Sequence, residues 1–159
     1  MTKLTQGQTE IKAVNVIKVI GFDLDDTLWD VAPVIRSAEK TLSNWVISSF
    51  PQVKYGELQI KRARKKILQE NPAIGFQFTR MRKAILKNIF EAGLKDPLIA
   101  EKLSQEGVEI FIKARSEVDL YPGVERTLKE LAQKYELGII TNGNADITKL
   151  RISKYFNFS

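Results

Sequence analysis

The sequence predicts an α/β fold, a parallel sheet interrupted by an inserted helical unit. Val16–Phe22 (VIKVIGF) is a nearly continuous apolar run, and Leu137–Ile140 is a second. The long stretch between them repeats its apolar residues at helical spacing. Both runs stop abruptly in small polar groups: Asp23-Leu24-Asp25-Asp26-Thr27 after the first, Thr141-Asn142-Gly143-Asn144 after the second. Strands joined by a helical crossover belong to a parallel sheet, whose ligands gather at the carboxyl ends of the strands.

Taken in order, residues 1–15 (MTKLTQGQTEIKAVN) read as a polar lead-in, without the apolar centre and small-residue cleavage site of a secretory signal. The run 16–22 is rich in β-branched side chains and fits a strand covered on both faces. From about Pro33 to Lys113 the pattern is helical. Pro33 suits a first helical turn, where its missing N–H is not needed, and Val34, Ala38, Leu42, Trp45 and Val46 form one apolar stripe. Pro51 breaks that helix. Leu58–Glu70 is a second, closed by Asn71-Pro72. Phe78, Met81, Ile85, Ile89 and Phe90 mark a third that ends at Gly93, with the stripe assigned to the core. Pro97 to about Ala114 is a fourth. Tyr121-Pro122-Gly123 is a turn, after which Val124, Leu128, Leu131, Ala132 and Tyr135 share a helical face. The expected organisation is a partial core from 16–32 and 115–159, with 33–114 as a helical cap.

Composition narrows the chemistry. A length of 159 residues suits one domain or a compact core with an insertion, and 43% hydrophobic residues can bury a real core. No apolar run approaches the roughly 20 residues of a membrane span, so the expected location is the cytoplasm, with no membrane partner. The chain has no cysteine and no histidine. Disulfides, thiolate zinc sites, cysteine nucleophiles, Ser-His-Asp triads and imidazole bases are therefore excluded within it. Catalysis would have to run on carboxylates, lysine, hydroxyls and hard metal ions held by oxygen. The 25 Lys+Arg against 19 Asp+Glu give a net charge of +6, which favours anionic ligands. The densest patch, Lys61, Arg62, Arg64, Lys65 and Lys66, reads as the wet face of an amphipathic helix, with Ile60, Ala63, Ile67 and Leu68 inward. No nucleic-acid partner is expected.

Asp23 and Asp25, two apart on a strand end, would point to one side while Leu24 points away. Carboxylates that close repel unless a cation intervenes, and a hard divalent ion is the natural remedy. One could then attack phosphorus while the other protonates a leaving oxygen. Thr141-Asn142-Gly143 offers a hydroxyl and exposed N–H groups as a phosphate cradle. Each motif alone has an ordinary explanation as a cap or a turn. Both falling at strand ends is far less expected by accident.

FDLDDTLWD resembles the first motif, DxDx(T/V), of the haloacid-dehalogenase-like superfamily, and LGIITNGNA resembles its second. The intervening helices stand where that superfamily carries a helical cap, and YPGVERTLKELA looks like its approach to motif two. The chain is most similar to the bacterial flavin mononucleotide phosphatase group, which shares the FDLDDTL…D…PVI opening and the ITNGNA segment. The resemblance implies a Rossmann-like parallel sheet with Asp23 as nucleophile and magnesium ligand. Asp25 would be general acid/base and would give the metal its backbone carbonyl. Thr141 would bind the phosphoryl group, helped by backbone around Asn142 and Gly143. Asp26 and Thr27 would shape the loop, and Arg80 and Arg82 are candidates for cap-side contact or for a solvated helix face. The implied substrate is a small phosphorylated metabolite, such as a flavin nucleotide or sugar phosphate. Dehalogenation has no need of Asp25, and phosphotransfer would use the same residues.

The family's third motif, a lysine, and its fourth, acidic metal ligands at another strand end, are not matched. Lys149 and Lys154 follow motif two too closely to supply the lysine. The sheet is therefore expected to be incomplete, with an apolar edge open to self-association and a doubtful activity for a truncated chain. The alternative expectation is a non-catalytic remnant that folds only with a partner or a second copy.

Overall fold

The computed structural model describes residues 17–159, so the lead-in 1–15 and Val16 lie outside the described residues. Strand β1 (Val19–Phe22) is followed by helices α1 (Val31–Ser49), α2 (Glu57–Glu70), α3 (Phe78–Leu94), α4 (Pro97–Arg115) and α5 (Val124–Ala132), then strand β2 (Glu136–Ile139). The helix ends follow local chemistry. Asp30 caps α1 by accepting from the Ala32 N–H at 2.9 Å, with Pro33 in the first turn as expected. Asp96 caps α4 by accepting from the Leu98 and Ile99 N–H groups, with Pro97 at its start.

Two apolar clusters form. One lies among α1–α4 and includes Leu42, Val46, Leu86, Phe90 and Phe111. Trp45, Phe50 and Phe90 meet edge to face there, with ring centroids 5.3–5.9 Å apart. Gly107 lets α4 come close, because a Cβ would lie 2.9 Å from Leu86 Cδ1 and 3.1 Å from the Trp45 ring. Glu101 of α4 clips onto α3 through Lys83 and Lys87, both at 2.8 Å, and their ammonium groups hold its carboxyl at about 2. The second cluster packs Leu24, Leu28, Trp29 and Val34 with Leu128, Leu137 and Ile139. Residues up to the first turns of α1 and after α4 thus share one core, while the middle of the chain builds the other.

The sheet is parallel, as the crossover requires, with Phe22 opposite Ile139 and the Ile140 N–H donating to the Phe22 carbonyl at 2.8 Å. Beyond β2, Asn157 and Phe158 pair with Leu137 and Ile139 through backbone bonds of 2.7 and 3.0 Å. The expectation that β1 is covered on both faces needs correction. Ile20 and Phe22 pack against the second cluster, but Val19 and Gly21 are exposed. Val19 is 49% and Ile140, beside Gly21, 72% exposed. The reason is that the cluster lies on one side of β1 only and, among the described residues, β2 is its one strand partner. Phe78 is a second correction. It starts α3 at 60% exposure instead of joining the core, while Met81, Ile89 and Phe90 of the same stripe are buried.

Tyr55 belongs to the helical unit, half-buried against its core. Burial, with some help from Glu39 and against Arg82, pushes its hydroxyl up to about 12. Folding therefore disfavours the phenolate, so this contribution is intact below pH 10 and is lost as pH rises through 12. Between those limits Tyr55→Phe is expected to lose less stability than the parent in urea unfolding, by about 1.4 kcal/mol per pH unit. Parallel pH profiles for the two proteins would contradict this.

Candidate active site

Asp23 follows β1 directly and Thr141 lies just past β2, so the parallel pairing brings both polar strand ends to one end of the sheet. Leu24 turns inward at 1% exposure, leaving Asp23 exposed and Asp25 partly buried. The chain then tightens: the Thr27 and Leu28 N–H groups both donate to the Leu24 carbonyl. Asp26 takes the left-handed conformation at φ 58°, which aspartate tolerates better than most residues. Its N–H donates to the Trp29 carbonyl, and its Oδ1 accepts from the Val31 N–H at 3.0 Å. Asp26 therefore holds the loop and the start of α1. Thr27 is exposed beside it.

Asp25 is the most heavily bonded group of the site. Its Oδ1 accepts from Trp29 Nε1 at 3.0 Å and from Arg115 Nη2 at 2.7 Å, and its Oδ2 lies 2.5 Å from the same nitrogen. Arg115 ends α4 and is 1% exposed. Its Nε and Nη1 are buried without an acceptor, so Asp25 is the one hydrogen-bond partner of this guanidinium among the described residues. Sequence reasoning missed both Arg115 and Trp29. The signal for Arg115 was its place on the buried α4 stripe, after Gly107, Val108 and Phe111, where an arginine interrupts an apolar face.

The second loop reaches the same carboxylate. A Cβ on Gly143 would lie 2.6 Å from Asp25 Oδ2, 3.3 Å from Thr141 Oγ1 and 3.4 Å from Arg115 Nη2. A side chain there would have to push the Asp25 carboxylate aside. The Gly143 N–H donates to Thr141 Oγ1 at 3.1 Å, and Asn142 is exposed. Asn144 Nδ2 donates to Thr79 Oγ1 at 3.3 Å, which ties this loop to the start of α3. A cavity of about 300 Å³ opens along that seam, lined by Phe76–Arg80 on one side and Asn142–Asn144 on the other. Neither Asp23 nor Asp25 lines it. The two arginines considered for the cap side separate. Arg80 lines the cavity and bonds Gln77 at 2.7 Å. Arg82 does not line the cavity and is only partly exposed: it pairs with Glu39 at 2.8 Å and lies over the Phe111 ring at 3.4 Å.

Magnesium takes oxygen ligands and commonly one or two protein carboxylates. Asp23 is exposed and makes no side-chain hydrogen bond or ion pair among the described residues, and the Asp25 carbonyl accepts no backbone hydrogen bond there. Those two oxygens fit such an ion. The Asp25 carboxylate is already engaged by Arg115 and Trp29, and no cluster of three or more acidic groups occurs among the described residues.

Comparison with known families decides the kinship: residues 17–159 match the family model of haloacid dehalogenase-like hydrolases. The chain belongs to the haloacid dehalogenase-like hydrolase family. It is similar to the 5-amino-6-(5-phospho-D-ribitylamino)uracil phosphatase YigB of Escherichia coli (strain K12), 34% identical over 146 residues, covering 89% of this chain and 60% of that protein. A crystal structure of a 2-haloacid dehalogenase from Pseudomonas syringae pv. Tomato DC3000 superposes with a TM-score of 0.82 at 37% identity. That match covers 90% of this chain and 63% of the other. The chain thus spans less than two thirds of the length of either relative. Its two-stranded parallel sheet is an incomplete version of the haloacid dehalogenase-like Rossmann-type sheet. Among the described residues no helix is long and apolar enough to cross a membrane.

Proposed function

We propose that this chain carries the nucleophile-bearing part of a magnesium-dependent phosphomonoester hydrolase that works through a phosphoaspartate on Asp23. The observation that carries the reading is the juxtaposition of the two polar strand ends, with Gly143 of the second packed on Asp25 of the first. An Asp23 oxygen attacks phosphorus, and the ester P–O bond breaks. The leaving oxygen takes its proton from Asp25, which must enter this step protonated and released from Arg115. Water then attacks the acyl phosphate while Asp25 accepts its proton, releasing inorganic phosphate and restoring the Asp23 carboxylate. Thr141 Oγ1 and the Gly143 N–H, bonded to each other at 3.1 Å, would both serve the phosphoryl oxygens. Asp23 and the Asp25 carbonyl would hold magnesium, which when bound neutralises charge on the phosphate.

α1–α4 would act as the cap over this site. Its seam with the second loop suggests the leaving group. Phe76 is 89% and Phe78 60% exposed there, with Arg80 alongside. Exposed aromatic faces beside a cation suit a phosphate ester attached to a planar ring, such as a flavin nucleotide, more than a bare sugar phosphate. The E. coli relative is named for a phosphorylated ribitylaminouracil, which agrees with that class. The dehalogenase relative favours the other chemistry of the family, but Asp25, held by two donors, is a residue dehalogenation does not need.

The test is phosphate release from flavin mononucleotide and from a sugar phosphate by the purified chain, with magnesium and with the metal chelated. Metal-dependent turnover, faster on the flavin ester, is the expected outcome. Turnover no greater than that of an Asp23→Asn control would sink the proposal for this chain. The exposed Val19 and Ile140 give weight to a second reading, in which the chain works only beside further strands from a partner or a second copy.

A further inference from the structure

We propose that the groove between α2 and α3, lined by none of the strand-end residues, is a second ligand site for a small metabolite bearing a pyrophosphate or longer phosphate chain. The groove has a volume of about 540 Å³, within the range of small-molecule sites. Its lining sorts by chemistry. Lys54, Arg62 and Lys66 supply positive charge, Gln52, Gln59 and Asn88 supply amides, and no carboxylate is present. Ala63 and Ile89, both nearly inaccessible, form an apolar floor. It shares no residue with the cavity at the second loop.

The cations are placed by the fold. Arg62 and Lys66 stand one turn apart on α2, so their heads project to the same side. Lys54 comes from the connection between α1 and α2, and that connection is pinned. Val53 beside it is 4% exposed and packs on Gly93 of α3, where a Cβ would lie 2.9 Å from the Val53 side chain. Among the described residues none of Lys54, Arg62 and Lys66 has an ion-pair partner, whereas Lys61 on the same helix pairs with Glu57. Like charges gathered without a counter-ion repel, and a bound polyanion relieves that repulsion. The remaining basic residues, Lys61, Arg64 and Lys65, line a different, shallower surface of α2. A concavity with amide donors and an apolar floor suits a small molecule, with phosphates at the cations and an organic part against Ile89 and Ala92. A duplex would need a broad continuous face.

The experiment is isothermal titration calorimetry of the full chain without magnesium. The probe is methylenediphosphonate, which a phosphatase site cannot hydrolyse, with orthophosphate and a short DNA duplex as comparators. Saturable one-to-one binding of the diphosphonate, tighter than orthophosphate, is expected. Arg62→Gln/Lys66→Gln should weaken it at least about tenfold, and Lys61→Gln/Lys65→Gln by less than about threefold. All four side chains are exposed on α2, and matched circular dichroism and melting will show that both variants fold. Absence of saturable binding overturns the proposal. So does binding that survives the Arg62/Lys66 change, since it then lies elsewhere, and equal losses in the two variants, which mark unspecific charge attraction. Tighter, steeply salt-dependent binding of the duplex would also overturn it, in favour of a nucleic-acid surface.

Discussion

Asp25→Ala is expected to destabilise the chain by about 3–5 kcal/mol, because it leaves a buried guanidinium without a counter-charge. Arg115 is 1% exposed, and its Nε and Nη1 already lack acceptors. Its one hydrogen-bonding nitrogen is spent on Asp25. Removing the carboxylate takes the last partner away while the charge stays buried. Such a loss is a large share of the roughly 5–15 kcal/mol that holds a domain together. Replacing both members gives the opposite expectation. Asp25→Ala/Arg115→Met should recover most of the stability, since a buried ion pair exchanged for packed apolar groups is often neutral. Urea unfolding of the two single variants and the double variant closes the cycle, with a coupling energy well above about 0.5 kcal/mol expected. An Asp25→Ala protein as stable as its parent would mean that water reaches Arg115.

Asp23→Asn should behave in the reverse way. Asp23 is exposed and makes no side-chain hydrogen bond or ion pair among the described residues, so its loss should change stability by less than about 0.5 kcal/mol. Turnover should nevertheless fall by about a thousandfold or more, as when a catalytic nucleophile is removed. Steady-state kinetics alongside melting would separate the two aspartates. On the proposed mechanism Asp23 would serve chemistry alone, and Asp25 both chemistry and the fold. Residual turnover near the parent's would remove Asp23 from the role of nucleophile.

The helices were legible because their signals are local. Pro33 and Pro97 in first turns, Pro51 after α1 and the 3.6-residue stripes all act within a few positions of the chain. Motif reading also found the two strand ends and the loop-shaping role of Asp26, whose bonds reach only to Trp29 and Val31. Three things were not legible. Phe78 shares the α3 period with buried residues, yet it lies in the first turn, beyond the reach of the helical core, and faces the second loop. Arg82 is a charge on a helix and looked exposed, but Glu39 and the Phe111 ring enclose it from two other helices. The run before Asp23 has the composition of a doubly covered strand, but composition cannot say which neighbours will be there to cover it.

By itself the sequence determined the chemistry this chain can attempt. With no histidine and no cysteine, and aspartates and a threonine at two strand ends, it leaves open carboxylates, hydroxyls, lysine and hard metal ions held by oxygen. It also determined the order of the elements, because caps, breaks and periodicity are properties of neighbouring residues. Only the tertiary structure decided that Asp25 is gripped by Arg115, a residue 90 positions away, and that Gly143 closes on the same carboxylate. A buried ion pair is a meeting of distant segments, set by how α4 returns to the sheet, and no local pattern encodes its partner.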